Sequence, residues 1–90
     1  MTKSLKILNL NYYLDDIMNE ITAESKYMDL LNTYPLLKTD LVRKNHKFKF
    51  LVTPMGKISL WQANLEDVSQ HVDMSVDEVV LLFKELINSY

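Results

Sequence analysis

Cysteine is absent from this chain of 90 residues. The chain therefore has no disulfide framework, no thiol nucleophile and no cysteine-ligated metal. One glycine and two prolines leave no material for a flexible linker or a glycine-rich phosphate loop. No apolar run approaches the length of a membrane span, and the amino terminus lacks the apolar core of a signal peptide. We therefore expect one cytoplasmic domain over residues 1–90, with no membrane partner.

Charge is segregated along the chain, although the formal net charge is only −2. Residues 1–37 carry three basic side chains against five acids, and residues 38–57 carry six against one. Residues 58–90 carry one basic side chain against six acids, so the three blocks have net charges of −2, +5 and −5. This separation of charge gives the chain a dipole, which can steer a charged partner. Alternatively, the two large blocks can attract each other within the fold.

Apolar residues recur at helical spacing through most of the chain and predict an all-α fold. We expect a single small multihelical array of about five short helices, preceded by a short extended segment at residues 5–10. The predicted helices cover residues 12–21, 24–33, 35–44, 65–72 and 76–89. A further brief helix is expected to begin at Pro54, with Thr53 as its cap, and to end before Gly56. Residues 45–52 alternate in polarity and predict a loop or a short extended piece.

The last third of the chain predicts two helices joined by a tight turn, as in a helix-turn-helix. Asn64 stands three residues before Asp67, and Ser75 stands three before Glu78, so each helix is expected to open with a capping box. Three further residues have the spacing of this motif: a small residue between the helices, a turn residue that tolerates positive φ, and a buried valine. These are Ser69, Asp73 and Val79.

The predicted shape favours DNA binding, whereas the charge of the same segment disfavours it. The turn geometry suits DNA, but the second helix opens with Asp77 and Glu78, which would face phosphates. The basic residues Arg43, Lys44, Lys47 and Lys49 are interleaved with aromatic ones, which would suit stacking on single-stranded bases. The alternative, which we favour, places Phe48 and Phe50 in the core while the lysines remain solvated.

No constellation for catalysis or metal binding is evident. His46 and His71 lie far apart and belong to no ligand-spaced motif. Adjacent carboxylates such as Asp77 and Glu78 do not face each other on a helix, and they suit the first turn as complements of the helix dipole. We therefore assign no catalytic, cofactor-binding or metal-binding residue and expect no cofactor.

The order of features resembles a known family. A helix that ends in Thr33-Tyr34-Pro35 leads to a basic loop and then to Thr53-Pro54-Met55-Gly56-Lys57-Ile58. Next come Asn64-Leu65-Glu66-Asp67, the turn over residues 72–80, and Leu82-Phe83-Lys84-Glu85-Leu86-Ile87. Over about residues 24–90 this is similar to small bacterial helical domains of unknown function, of the type called domain of unknown function 1858. Their relatives include the amino-terminal domain of the iron-sulfur-repair protein ScdA and the hybrid-cluster-protein-associated redox-disulfide domain.

The resemblance implies a helical fold but no redox activity. Redox members carry a cysteine pair near the position of residues 46–50, and this chain has none. The segment after Thr53-Pro54 is also shorter here than in many relatives.

These observations favour a non-enzymatic cytoplasmic helical module that binds another protein or forms a weak homodimer. Leu81 supports this interpretation because it falls in the middle of the polar face of the last helix. The alternative is a nucleic-acid-binding protein that uses the helix-turn-helix-like pair and the basic segment 43–57, although we expect no such binding. The predicted interaction surface consists of Leu81, Arg43, Lys44, Lys47, Lys49 and Lys57.

Overall fold

A computed structural model describes residues 21–90. The predicted extended segment at residues 5–10 and all of the first predicted helix except Ile21 lie outside the described residues. Within residues 21–90 the prediction of an all-α fold is confirmed, because the structure contains helices and turns and no strand beyond one isolated bridge.

Five α-helices and two short 3-10 helices make up the described part of the chain. The α-helices are α1 (Tyr27–Thr33), α2 (Leu37–Lys44), α3 (Pro54–Ser59), α4 (Leu65–Val72) and α5 (Val76–Asn88). The 3-10 helices, His46–Phe48 and Phe50–Val52, connect α2 to α3. They replace the predicted loop or extended piece, because backbone bonds from Phe48 to Asn45 and from Thr53 to Phe50 close tight turns.

Helix α1 begins at Tyr27, three residues later than the sequence predicts. The backbone just before it pairs with the segment that leads into α4. Tyr27 donates its amide to the carbonyl of Ala63 at 3.0 Å, and Leu65 donates to Ser25 at 3.0 Å. Because these groups bond across the fold, they are not available for a first helical turn.

Helix α3 runs through Gly56 rather than stopping before it. Thr53 caps this helix as predicted, since its hydroxyl accepts the amide of Gly56 at 3.1 Å. Gly56 is buried where the backbone of Phe50 crosses the helix, and a Cβ at this position would overlap the Phe50 carbonyl oxygen. The glycine therefore permits close backbone packing and does not end the helix.

The carboxyl-terminal pair matches the predicted helix-turn-helix shape. Asp73 has a φ of 54° in the left-handed region, and Ser69 and Val79 are buried between the two helices. Asn64 and Asp67 form a full capping box at the start of α4. The predicted box at α5 is only half formed: Ser75 accepts the amide of Glu78, but the Glu78 carboxylate accepts the Ser75 hydroxyl and not its backbone amide.

One hydrophobic core joins both 3-10 helices and every α-helix except α3, which contributes no side chain to it. Its fully buried aromatic residues are Tyr27, Phe48 and Phe83, and both other rings pack edge-on against Phe83 at about 6 Å between centroids. The Tyr27 hydroxyl donates to the carbonyl of Leu51 at 3.0 Å. The sequence predicts Tyr90 on the buried stripe of α5, but it lies beyond the helix end and is 42% exposed.

Candidate interaction surface

Helix α3 turns apolar side chains toward solvent. Its inner side is formed by Gly56, and Leu60 directly after the helix is also buried. Met55 and Ile58 lie one turn apart on the opposite side and are 67% and 68% exposed. Thus the helix packs through a glycine and presents its two largest apolar side chains outward.

Two exposed aromatic residues flank helix α3 in the chain. Trp61 follows Ile58 by three residues and is 67% exposed, and Phe50 is 56% exposed where its carbonyl packs against Gly56. Both Phe48 and Phe50 were expected in the core, but only Phe48 is buried, because the 3-10 turns do not alternate like a strand. We call Phe50, Met55, Ile58 and Trp61 the α3 surface.

Trp61 also borders a shallow groove of about 440 Å³ between the end of α3 and helix α4. The walls of this groove are mostly polar, and they include Asp67, Gln70 and His71. An aromatic ring at the edge of such a groove has an apolar body and one N–H donor, a combination that is common in protein interfaces.

Two of the predicted basic residues flank the α3 surface. Lys49 precedes Phe50 in the chain, and Lys57 lies within helix α3. The Lys38 side chain lies beside that of Lys57 and lowers the Lys57 pKa. A side-chain hydrogen bond with Lys38 is the main cause, and partial desolvation and the like charge of Lys38 add to it. Within residues 21–90 none of these three lysines forms a salt bridge, so this side of the molecule has unbalanced positive charge.

The other predicted basic residues have acidic neighbours within the fold. Arg43 forms a salt bridge with Asp40 at 3.4 Å, and Lys47 forms one with Asp73 at 3.3 Å. Lys44 and Arg43 line one groove with Glu85 of helix α5. The structure therefore does not bring the predicted site residues together into one basic patch, and part of the two charge blocks meets within the monomer.

Leu81 is exposed on helix α5, as the sequence indicates, with 54% of its surface accessible. Asp77 and Glu78 are exposed one turn earlier on the same side of the helix. We call Asp77, Glu78 and Leu81 the α5 surface. Lys84 lies at its edge, so two acids stand against one basic side chain and the net charge is negative.

No cluster suited to a metal ion occurs among residues 21–90. His46 and His71 are both exposed: His46 is the first residue of the first 3-10 helix, and His71 lies near the end of α4. The described residues also contain no helix that is both long enough and apolar enough to cross a membrane.

The α3 surface is what sequence reasoning missed. Its signal was present, because Met55, Ile58 and Trp61 follow one another at intervals of three residues. A helix that ended before Gly56 would have left Ile58 and Trp61 without a common face. Only the continuation of α3 to Ser59 places Met55 and Ile58 side by side.

No family model, no curated protein and no solved structure matches this chain. The features of the molecule that bear on its function are the helix-turn-helix-like pair and the exposed apolar side chains in and around α3.

Proposed function

We propose that this protein is a non-enzymatic cytoplasmic module that binds another protein through the α3 surface. The observation that supports the proposal is the exposure of four large apolar side chains between positions 50 and 61. A small monomer gains stability by burying such residues, and clustered exceptions mark interaction sites. Aromatic residues and methionine are also enriched at protein interfaces.

The charge of this region favours an acidic partner. Lys49, Lys57 and Lys38 have no acidic partner within residues 21–90. An amphipathic helix with acidic residues beside its apolar stripe would bury Met55 and Ile58 and balance these lysines. The resemblance to the small bacterial helical domains is compatible with this role, and it remains part of the proposal.

Substitution at Ile58 tests the proposal. The protein and its Ile58→Asp variant would each be immobilised, and proteins captured from the native cell would be compared by mass spectrometry. Leu36→Asp is the matched control, because Leu36 is an exposed leucine outside the α3 surface. We expect specific captures that Leu36→Asp retains and Ile58→Asp loses. Captures that survive Ile58→Asp, or none above background, would refute a role for this surface.

A further inference from the structure

Each copy of the chain carries two exposed surfaces, one flanked by lysines and the other containing acids. The α3 surface has apolar side chains beside Lys49 and Lys57, and no acid balances either lysine within residues 21–90. The α5 surface has the exposed Leu81 beside two acids. Neither Asp77 nor Glu78 forms a salt bridge in the described part of the chain. The lysines beside the α3 surface and the acids of the α5 surface could therefore neutralise each other in a contact between two copies.

We infer that the α3 surface of one copy binds the α5 surface of a second copy. In this contact Leu81 packs against Met55 and Ile58, and the carboxylates of Asp77 and Glu78 face Lys49 and Lys57. The inference rests on the proposed function, because it names a second copy of the chain as a partner of the α3 surface.

The inferred contact is between unlike surfaces, which distinguishes it from contacts of α3 with α3 or of α5 with α5. A contact of α3 with α3 would bring together the lysines that flank both surfaces, and a contact of α5 with α5 would bring together their acids, so both would be repulsive. Contacts between unlike surfaces close into a two-fold dimer if both can form at once, or otherwise extend into a head-to-tail chain.

The charges on the two surfaces also make the contact sensitive to salt. Exposed charges are screened within a few ångströms at high ionic strength, so association should weaken when salt is raised from about 0.05 M to about 0.5 M. The pKa of Lys57, which Lys38 lowers, is consistent with an ammonium group that would gain from an acidic partner.

A mixing experiment with two variants tests the pairing. Ile58→Asp disrupts the α3 surface and leaves α5 intact, whereas Leu81→Lys disrupts the α5 surface and leaves α3 intact. Both positions are exposed, so each variant should unfold at the temperature of the wild type. Sedimentation equilibrium would measure the mass of the wild type, of each variant, and of their equimolar mixture.

We expect the wild type to self-associate at high micromolar concentration and each variant to associate at least about tenfold more weakly. The mixture should regain association, because the intact α3 surface of Leu81→Lys meets the intact α5 surface of Ile58→Asp. The emission of Trp61, the only tryptophan, should shift to the blue in the wild type and in the mixture. Lys57→Glu would serve in place of Ile58→Asp if that variant failed to fold.

Three results would overturn the inference: a monomeric wild type at every concentration, a mixture that stays monomeric, or unimpaired association of Leu81→Lys. If the wild type is monomeric but still captures a cellular protein in an Ile58-dependent way, the proposed function stands and only the self-association fails. If Ile58→Asp changes neither association nor capture, both fail.

Discussion

Gly56 lies inside helix α3, although glycine is a poor helix former. Glycine in an exposed helix interior costs about 1 kcal/mol relative to alanine. Here the α3 backbone lies against Phe50 and Leu51, and a Cβ at Gly56 would lie 2.9 Å from the Leu51 Cα and closer still to the Phe50 carbonyl. The obstructing atoms are backbone, so they cannot move aside as a flexible side chain can.

We therefore predict that Gly56→Ala destabilises the protein by about 1–3 kcal/mol, although propensity alone would make it stabilising. Urea unfolding followed by circular dichroism measures the change. Ser59→Ala is the control, because Ser59 is exposed on the same helix. A Gly56→Ala variant as stable as the wild type would mean that the 3-10 segment does not press on α3 as described.

Tyr27 places a hydroxyl group in the core, and this hydroxyl donates to the Leu51 carbonyl at 3.0 Å. Tyr27→Phe leaves that carbonyl without its donor, so we predict a loss of about 1–3 kcal/mol at neutral pH. Tyr34→Phe is the control, because Tyr34 is only half-buried and its hydroxyl has no hydrogen bond within residues 21–90. Equal losses in the two variants would contradict the role of the Tyr27 hydrogen bond.

The same residue gives the protein a pH dependence. Burial raises the pKa of Tyr27 above its ordinary value of 10.0, so the folded state holds this proton more tightly than the unfolded state. The contribution of the protonated Tyr27 to the free energy of unfolding is complete below about pH 10 and is lost as the pH rises above it. We expect the free energy of unfolding to fall more steeply above that pH in the wild type than in Tyr27→Phe. Lysine titration affects both proteins alike, so parallel curves would contradict this prediction.

At the scale of the element, caps decide where the helices begin. Asn64, Ser75 and Thr53 each accept an amide of the first turn of their helix. Helix α1 has no side-chain cap, and its start is set instead by backbone bonds to the segment before α4. The predicted starts were right for the three helices that have a side-chain cap. They were three residues early for α1 and two residues early for α2, and neither of these helices has such a cap.

Substitution of Ser75 tests how much a side-chain cap contributes to the stability of its helix. Ser75→Ala removes the acceptor for the Glu78 amide, and we predict a loss of about 0.5–2 kcal/mol in the free energy of unfolding. Ser75→Asn keeps a capping side chain and should retain most of the stability. If alanine and asparagine variants unfolded together, packing of α5 rather than its cap would set the stability of the pair.

For the molecule as a whole, the charge of the helix-turn-helix-like pair disfavours DNA binding, although DNA binding is common among proteins with that shape. The leading turn of α5 exposes Asp77 and Glu78, and Lys47 is held by Asp73 in the turn between the helices. A helix that enters the major groove needs cations near phosphates, and such contacts supply most of the nonspecific affinity.

We therefore predict no binding of random duplex DNA at micromolar protein and physiological salt, measured by fluorescence anisotropy. The variant Asp77→Lys, Glu78→Lys serves as a comparison, because it removes the proposed obstacle and should increase any residual binding. A salt-sensitive, saturable isotherm for the wild type that charge reversal at Lys47 and Lys49 abolishes would instead support the nucleic-acid alternative.

Features whose causes are local could be predicted from the amino-acid sequence. The helical class, the ends of α4, the caps at Asn64 and Thr53 and the left-handed turn at Asp73 follow from interactions within a few residues. The exposure of Leu81 follows from the spacing of apolar residues on a single helix.

Tertiary structure alone decided the features that depend on distant backbone. The late start of α1 needs the carbonyl of Ala63, and the extension of α3 needs Phe50 to cross at Gly56. In the folded chain Phe48 is buried, whereas Phe50, Met55 and Ile58 are exposed, so the α3 surface exists only in the folded chain. Spacing within one segment predicts which residues share a face, but the face that is buried depends on what packs against it.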